Sequence, residues 1–88
     1  MTWVDWDETA RDELADIWVV ATPSDRETIA AIVEATIREI ETDPLDVGES
    51  RQENLRLAIH LPIALWFRVS KEQMAQIVHV TRILKPRG

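Results

Sequence analysis

Cysteine and tyrosine are absent from this 88-residue chain, glycine occurs twice and phenylalanine once. Without a thiol there is no disulfide, no thiolate metal site and no cysteine nucleophile, a usage that fits a reducing compartment. Gly48 and Gly88 stand far apart and cannot form a glycine-rich phosphate loop, which argues against nucleotide hydrolysis. Two histidines without cysteine leave zinc short of its usual ligands, so neither a metal nor a cofactor is expected. Nothing resembles a nucleophile elbow, and Thr9, Thr22, Ser24 and Ser50 read as cap and turn residues. The longest apolar run, "LPIALWF", is far short of the roughly 20 residues that span a bilayer. The acidic opening "MTWVDWDETARDE" does not read as a secretory signal. The expectation is a soluble, cytoplasmic protein without membrane association.

What is present begins with 45% hydrophobic residues, enough for one core and one domain over residues 1–88. The net charge of -6 is unevenly spread. Residues 1–49 hold 14 Asp and Glu against three Arg, a net of -11, whereas residues 50–88 hold two Glu against seven Lys and Arg, a net of +5. Such asymmetry hints at a surface that binds a polyanion or a charge-complementary partner. Acidic helix faces and strand-flanking arginines would produce the same split with no partner, since charge speaks to association and solubility rather than fold.

Hydrophobic period changes along the chain. "TWVDW" alternates Trp3 and Asp5 against Val4 and Trp6 and reads as a first strand. Asp7 then stands where it can cap a helix carrying Ala10, Leu14, Ile17, Trp18 and Ala21, which Pro23 stops. "SDRE" has the capping-box spacing at Ser24 and Glu27. It opens a second helix with the stripe Ile29, Ile32, Val33, Ile37 and Ile40, ended at Thr42-Asp43-Pro44. Beyond the loop "DPLDVGES" the period becomes two. "LRLAIHL" sets Leu55, Leu57, Ile59 and Leu61 against Arg56, Ala58 and His60. After Pro62, "IALWFRV" sets Ile63, Leu65, Phe67 and Val69 against Ala64, Trp66 and Arg68. "IVHVTRIL" sets Ile77, His79, Thr81 and Ile83 against Val78, Val80, Arg82 and Leu84. Consecutive strands with short connections favour antiparallel pairing. The fold class is α+β: an N-terminal strand and a two-helix hairpin packed on one face of a mainly antiparallel sheet of three to four strands.

With the aliphatic rows turned to the helices, Arg56, His60, Trp66 and Arg68 share the opposite face, with Arg51 and Lys71 near the strand ends. Guanidinium forks suit phosphate and an indole offers a stacking surface, a combination that fits RNA. A partner's acidic segment would be served equally well, and a solvated sheet face needs polar residues in any case. Only His60 and His79 titrate near neutrality when unperturbed, which makes either a candidate for proton transfer.

The order and spacing of these pieces resemble the RelE/ParE toxin superfamily, the toxin halves of type II toxin–antitoxin modules of the plasmid-stabilisation type. The likeness covers nearly the whole chain. It rests on "WVDWDETARDELADIW" (Trp6, Ala10, Leu14, Ile17), on "IREIETDPLDVGESR" (Pro44, Gly48, Arg51), and on "LPIALWFRVSKEQMAQIVHVTRI" with its triplet Phe67, Arg68, Val69. The resemblance implies a cytoplasmic toxin neutralised by a cognate antitoxin, and a homodimer is compatible with it. ParE-like members inhibit DNA gyrase, and RelE-like members cut mRNA on the ribosome with basic sheet residues and a terminal tyrosine or histidine. Arg56 is the best match to a family basic position, with Arg51 and Arg82 as further matches. A catalytic reading would use Arg56 and Arg68 on phosphate and His60 or His79 for protons. A binding reading uses Arg51, Arg56, Trp66, Arg68 and Arg82 as target contacts. Tyrosine is missing, and "LPIAL" carries no basic residue where a second catalytic arginine would stand. These departures, with the net charge of -6, weigh toward the non-catalytic inhibitor, with the ribonuclease and a non-toxic binding module as alternatives. An antitoxin segment rich in acidic and apolar residues would complement the +5 half.

Overall fold

A computed structural model describes residues 2–86. Strand β1 (Thr2–Trp6) leads into helix α1 (Glu8–Val20), which is followed by α2 (Pro23–Thr42) and a 3-10 turn at Pro44–Asp46. Four strands complete the chain: β2 (Glu49–Gln52), β3 (Leu55–His60), β4 (Ile63–Glu72) and β5 (Ala75–Leu84). All five strands form one sheet in the order β1-β5-β4-β3-β2, with β1 parallel to β5 and every other pair antiparallel. The sheet therefore has one strand more than the three to four expected. Part of the extra width is β2, built from the end of a stretch that reads as loop because all four of its residues are exposed and its pairing with β3 is interrupted by a bulge.

Helix boundaries follow local chemistry closely. Thr22, not Ser24, caps α2: its hydroxyl accepts the Asp25 N–H at 3.1 Å. Pro23 takes the first helical position, where its preset φ suits the helix and its missing N–H would have had no partner. The proline thus opens α2, and Ser24 already lies inside it. Asp7 holds the N-cap position of α1 but makes no side-chain cap bond. Its N–H instead donates to the Val80 carbonyl at 2.9 Å, which ties the start of α1 to β5. Between the helices, Arg26 donates through Nε to the Trp18 carbonyl at 2.8 Å and lays its guanidinium 5.5 Å from the centre of the Trp18 ring.

Both helices cover the same face of the sheet. Ala10 of α1 and Ile29 and Ile40 of α2 meet Leu65 and Phe67 of β4 and Val78, Val80 and Ile83 of β5, all of them buried. Val4 and Trp6 of β1 pack against the margin of this core. Among the described residues no helix is long and apolar enough to cross a membrane.

The register overturns one expected strand phase. Arg56 lies opposite Phe67, Ala58 opposite Leu65 and His60 opposite Ile63, so these three share the helix-covered side. Leu55, Leu57 and Ile59 lie opposite Arg68, Trp66 and Ala64 on the open side. Alternation had assigned the row Leu55, Leu57 and Ile59 to the core and Arg56, Ala58 and His60 to the open face, and the structure reverses this. The phase is set by pairing with β4, where Ile63, Leu65, Phe67 and Val69 all enter the core. On β5 a bulge does the same to half a strand. Val80 pairs with Phe67 but Arg82 with Trp66, leaving Thr81 as the extra residue. Ile83 consequently joins Val78 and Val80 in the core, and Arg82 and Leu84 turn to the open side with Ile77 and His79.

Candidate interface on the open sheet face

The uncovered face is built in rows across the strands. One row runs Asp5, His79, Arg68, Leu55 and Gln52, and the next runs Arg82, Trp66, Leu57 and Glu49. Leu84, Ala64 and Ile59 close one end, and Trp3, Ile77 and Ser70 close the other. A shallow cavity of about 430 Å³ is lined by Leu55, Trp66, Arg68, Thr81, Arg82 and Leu84. A second depression, bounded by Gln52, Glu53, Asn54, Leu55 and Arg68, shares Leu55 and Arg68 with it. The two make a path from the β2–β3 turn to the bulge on β5. Apolar side chains supply much of its floor, with cationic groups set among them.

The candidate residues named from the sequence divide between two places. Trp66, Arg68 and Arg82 stand together on the open face. Arg56 does not join them: its Nε donates to the Val47 carbonyl at 2.9 Å and its terminal nitrogen to the Gly48 carbonyl at 3.1 Å. That contact fastens the chain where it enters β2. Gly48 has φ +68°, and a Cβ there would lie 2.3 Å from the Leu57 carbonyl oxygen, so only glycine fits without movement. His60 is exposed at the far end of β3, in register with Ile63 on the helix-covered side. Arg51 sits on the β2 edge and pairs with Glu49 at 3.1 Å. The catalytic set Arg56, His60 and Arg68 is therefore not one constellation.

His79, a candidate for proton transfer, also stands on the open face, and Thr81 and Glu13, which carried little signal in the sequence, lie beside it. His79 lies directly opposite Arg68, with Asp5 on its other side, and its Nδ1 is 3.8 Å from an Asp7 oxygen. Thr81, the bulge residue, donates its hydroxyl to the Trp66 carbonyl at 3.3 Å. Glu13 of α1 reaches the same place. Its carboxylate takes Arg82 Nε at 2.9 and 3.2 Å, Arg82 Nη2 at 2.6 Å and the Ile83 N–H at 3.2 Å. The Arg82 hydrogen bond holds the Glu13 carboxyl below its usual pKa, assisted by the Ile83 amide and opposed by partial burial. The same bond raises Arg82. One clue to Glu13 was available: it is an acidic residue set among Ala10, Leu14 and Ile17 on the inward stripe of α1.

A strand, a helical hairpin on one sheet face and an uncovered opposite face define a two-layer α+β domain with one exposed sheet face. Among solved structures the chain is similar to one from the toxin–antitoxin complex RelBE2 of Mycobacterium tuberculosis, with a TM-score of 0.68 and 22% identity over 96% of both chains. It is also similar to one from the chromosomal ParDE TA system of P. aeruginosa, with a TM-score of 0.72 and 17% identity over 99% of this chain and 98% of that one. No family model and no curated protein matches the sequence. The chain shares the fold of these two toxin–antitoxin structures over nearly its whole length, the fold that the resemblance implied.

Proposed function

We propose that this chain is the toxin component of a type II toxin–antitoxin pair, that it inhibits a macromolecular target of the gyrase type without catalysis, and that a cognate antitoxin neutralises it. The observation that carries this reading is the content of the open face on a RelE/ParE-type fold. Leu55, Ile59, Trp66 and Leu84 are partly or fully exposed apolar anchors of the kind a protein partner covers, and Arg68 supplies a cation among them. A nuclease would need several basic groups converging on one phosphate. Here Arg56 is occupied by backbone carbonyls and Arg82 by Glu13, which weighs against that chemistry. An antitoxin segment with apolar and acidic residues would seat on the same face by the same chemistry.

The test is induction of the chain alone in a bacterial host, with pulse labelling of DNA and protein synthesis. Arrest with DNA synthesis failing first, reversed by the neighbouring gene's product, is the expected result. Purified protein should also block gyrase supercoiling, and unaffected supercoiling at saturating protein would remove gyrase as the target.

A second reading draws on the one cation–imidazole pair of this face. Arg68 and His79 lie opposite each other across β4 and β5, so the first could hold a phosphate while the second moves a proton. Under this ribonuclease reading translation fails first, and R68A or H79A abolishes ribosome-dependent mRNA cleavage.

A further inference from the structure

Two arginines and an indole stand in line on the open face, yet one guanidinium is already occupied. Trp66 is directly opposite Arg82, and Arg68 lies two residues further along the same strand on the same side. Unencumbered, the two forks flanking a stacking surface would suit a single-stranded phosphodiester chain. Glu13 instead fills the Arg82 fork from Nε to Nη2, the two-pronged geometry a phosphate would otherwise take. The carboxylate is itself anchored. The Ile83 N–H holds it at 3.2 Å, and its side chain is 18% exposed against 53% for Arg82. Asp5 and Glu49 lie on the same face in the rows of Arg68 and Trp66. Glu49 is paired with Arg51, so Glu13 on Arg82 and Asp5 in the row of Arg68 set two carboxylates against two guanidinium groups.

We infer that Glu13 is a specificity determinant of the open face: by occupying Arg82 it withholds a polyanion site and leaves a surface that selects a protein segment. The inference rests on reading the open face as the working surface, and Glu13 acts through Arg82 rather than by touching the target. Its charge, not its shape, does the selecting. Glutamine at this position keeps an oxygen for the Ile83 N–H and loses the charge that competes with phosphate.

The experiment is fluorescence anisotropy of a fluorescein-labelled single-stranded oligoribonucleotide, titrated with wild-type protein, E13Q, E13D and E13Q/R82A over a series of salt concentrations. E13Q should bind about tenfold more tightly than wild type at low salt, as one released charge-assisted contact would give. Its slope of log affinity against log salt should steepen by about 0.7, the value for one added phosphate contact on a single strand. E13D should resemble wild type, and R82A in the E13Q background should remove the gain. Equal affinity and slope for wild type and a cooperatively folded E13Q would overturn the inference, as would a gain in E13D equal to that in E13Q.

Should E13Q not fold, the wild-type protein still decides the matter through its arginine side-chain NMR signals during the same titration. The Arg68 Nε–H should shift while that of Arg82 stays in place, and movement of both at the same oligonucleotide concentration would overturn it. These readouts are independent of toxicity. A chain that arrests no growth would sink the toxin reading and leave the role of Glu13 standing or falling on the titration alone.

Discussion

The two faces of one sheet are made from alternating residues of the same strands, and they solve different problems. On the covered face Phe67, Leu65, Val78, Val80 and Ile83 are each at most 2% exposed and belong to one apolar cluster. On the open face Leu55, Trp66, Ile77 and Leu84 are only partly covered, Ile59 is exposed, and charged residues stand between them. Folding accounts for the first arrangement through the area withdrawn from water. It does not account for the second, where apolar side chains remain in contact with solvent at a cost that a partner would remove. A residue's face therefore says more about its role than its type does. Arg56 and Arg68 are both strand arginines, yet one fastens backbone carbonyls and the other stands exposed on the open face.

Substitutions on the two sides should separate these roles, and the largest effect belongs to the covered face. F67A should cost about 4 kcal/mol in urea unfolding, from lost transfer energy and the cavity left behind. W66A on the neighbouring position should cost far less, and equal losses would break the contrast between faces. G48A should cost roughly 3 kcal/mol, because it combines a left-handed φ with a Cβ against the Leu57 carbonyl. R56A should cost about 1–2 kcal/mol by leaving the Val47 and Gly48 carbonyls without their donor, while inhibition of the target by the folded fraction stays intact. R68A should change stability by no more than about 0.5 kcal/mol and yet weaken growth arrest. If R56A abolished arrest with stability unchanged, the division between fastener and ligand would be wrong.

The smallest expected effect is a pH dependence. Glu13 has a folded pKa below its usual 4.5, so its contribution is complete above that value and is lost as the pH falls through the lowered folded value. Thermal unfolding between neutral pH and the acid range should show this loss in wild type, and E13Q should lack that component.

Much of the fold could be read from periodicity. Both helices, the first strand and the paired strands β4 and β5 follow patterns that only one secondary structure satisfies. Prediction failed where local patterns were ambiguous or where the deciding partner was distant in sequence. The more apolar row of β3 is turned away from the helices because β4 supplies the register, and a bulge such as that at Thr81 changes a strand's phase without altering composition. The site was legible in part for the same reasons. Trp66 and Arg68 share a face as their strand positions imply, whereas Arg82 joins them only through the bulge at Thr81. The occupation of Arg82 depends on a residue 69 positions away.

The parallel pairing of β1 with β5 also carries a consequence for the order of events in the life of the chain. Trp3 lies beside Ile77, so the pairing joins residues 74 positions apart. During synthesis β1 has no partner until β5 has left the ribosome, and such long-separated pairing is slow to form. His79, Arg82 and the strand that closes the core arrive together with β5. The open face and the closed core therefore take shape in one step, and neither exists before β5 has been made.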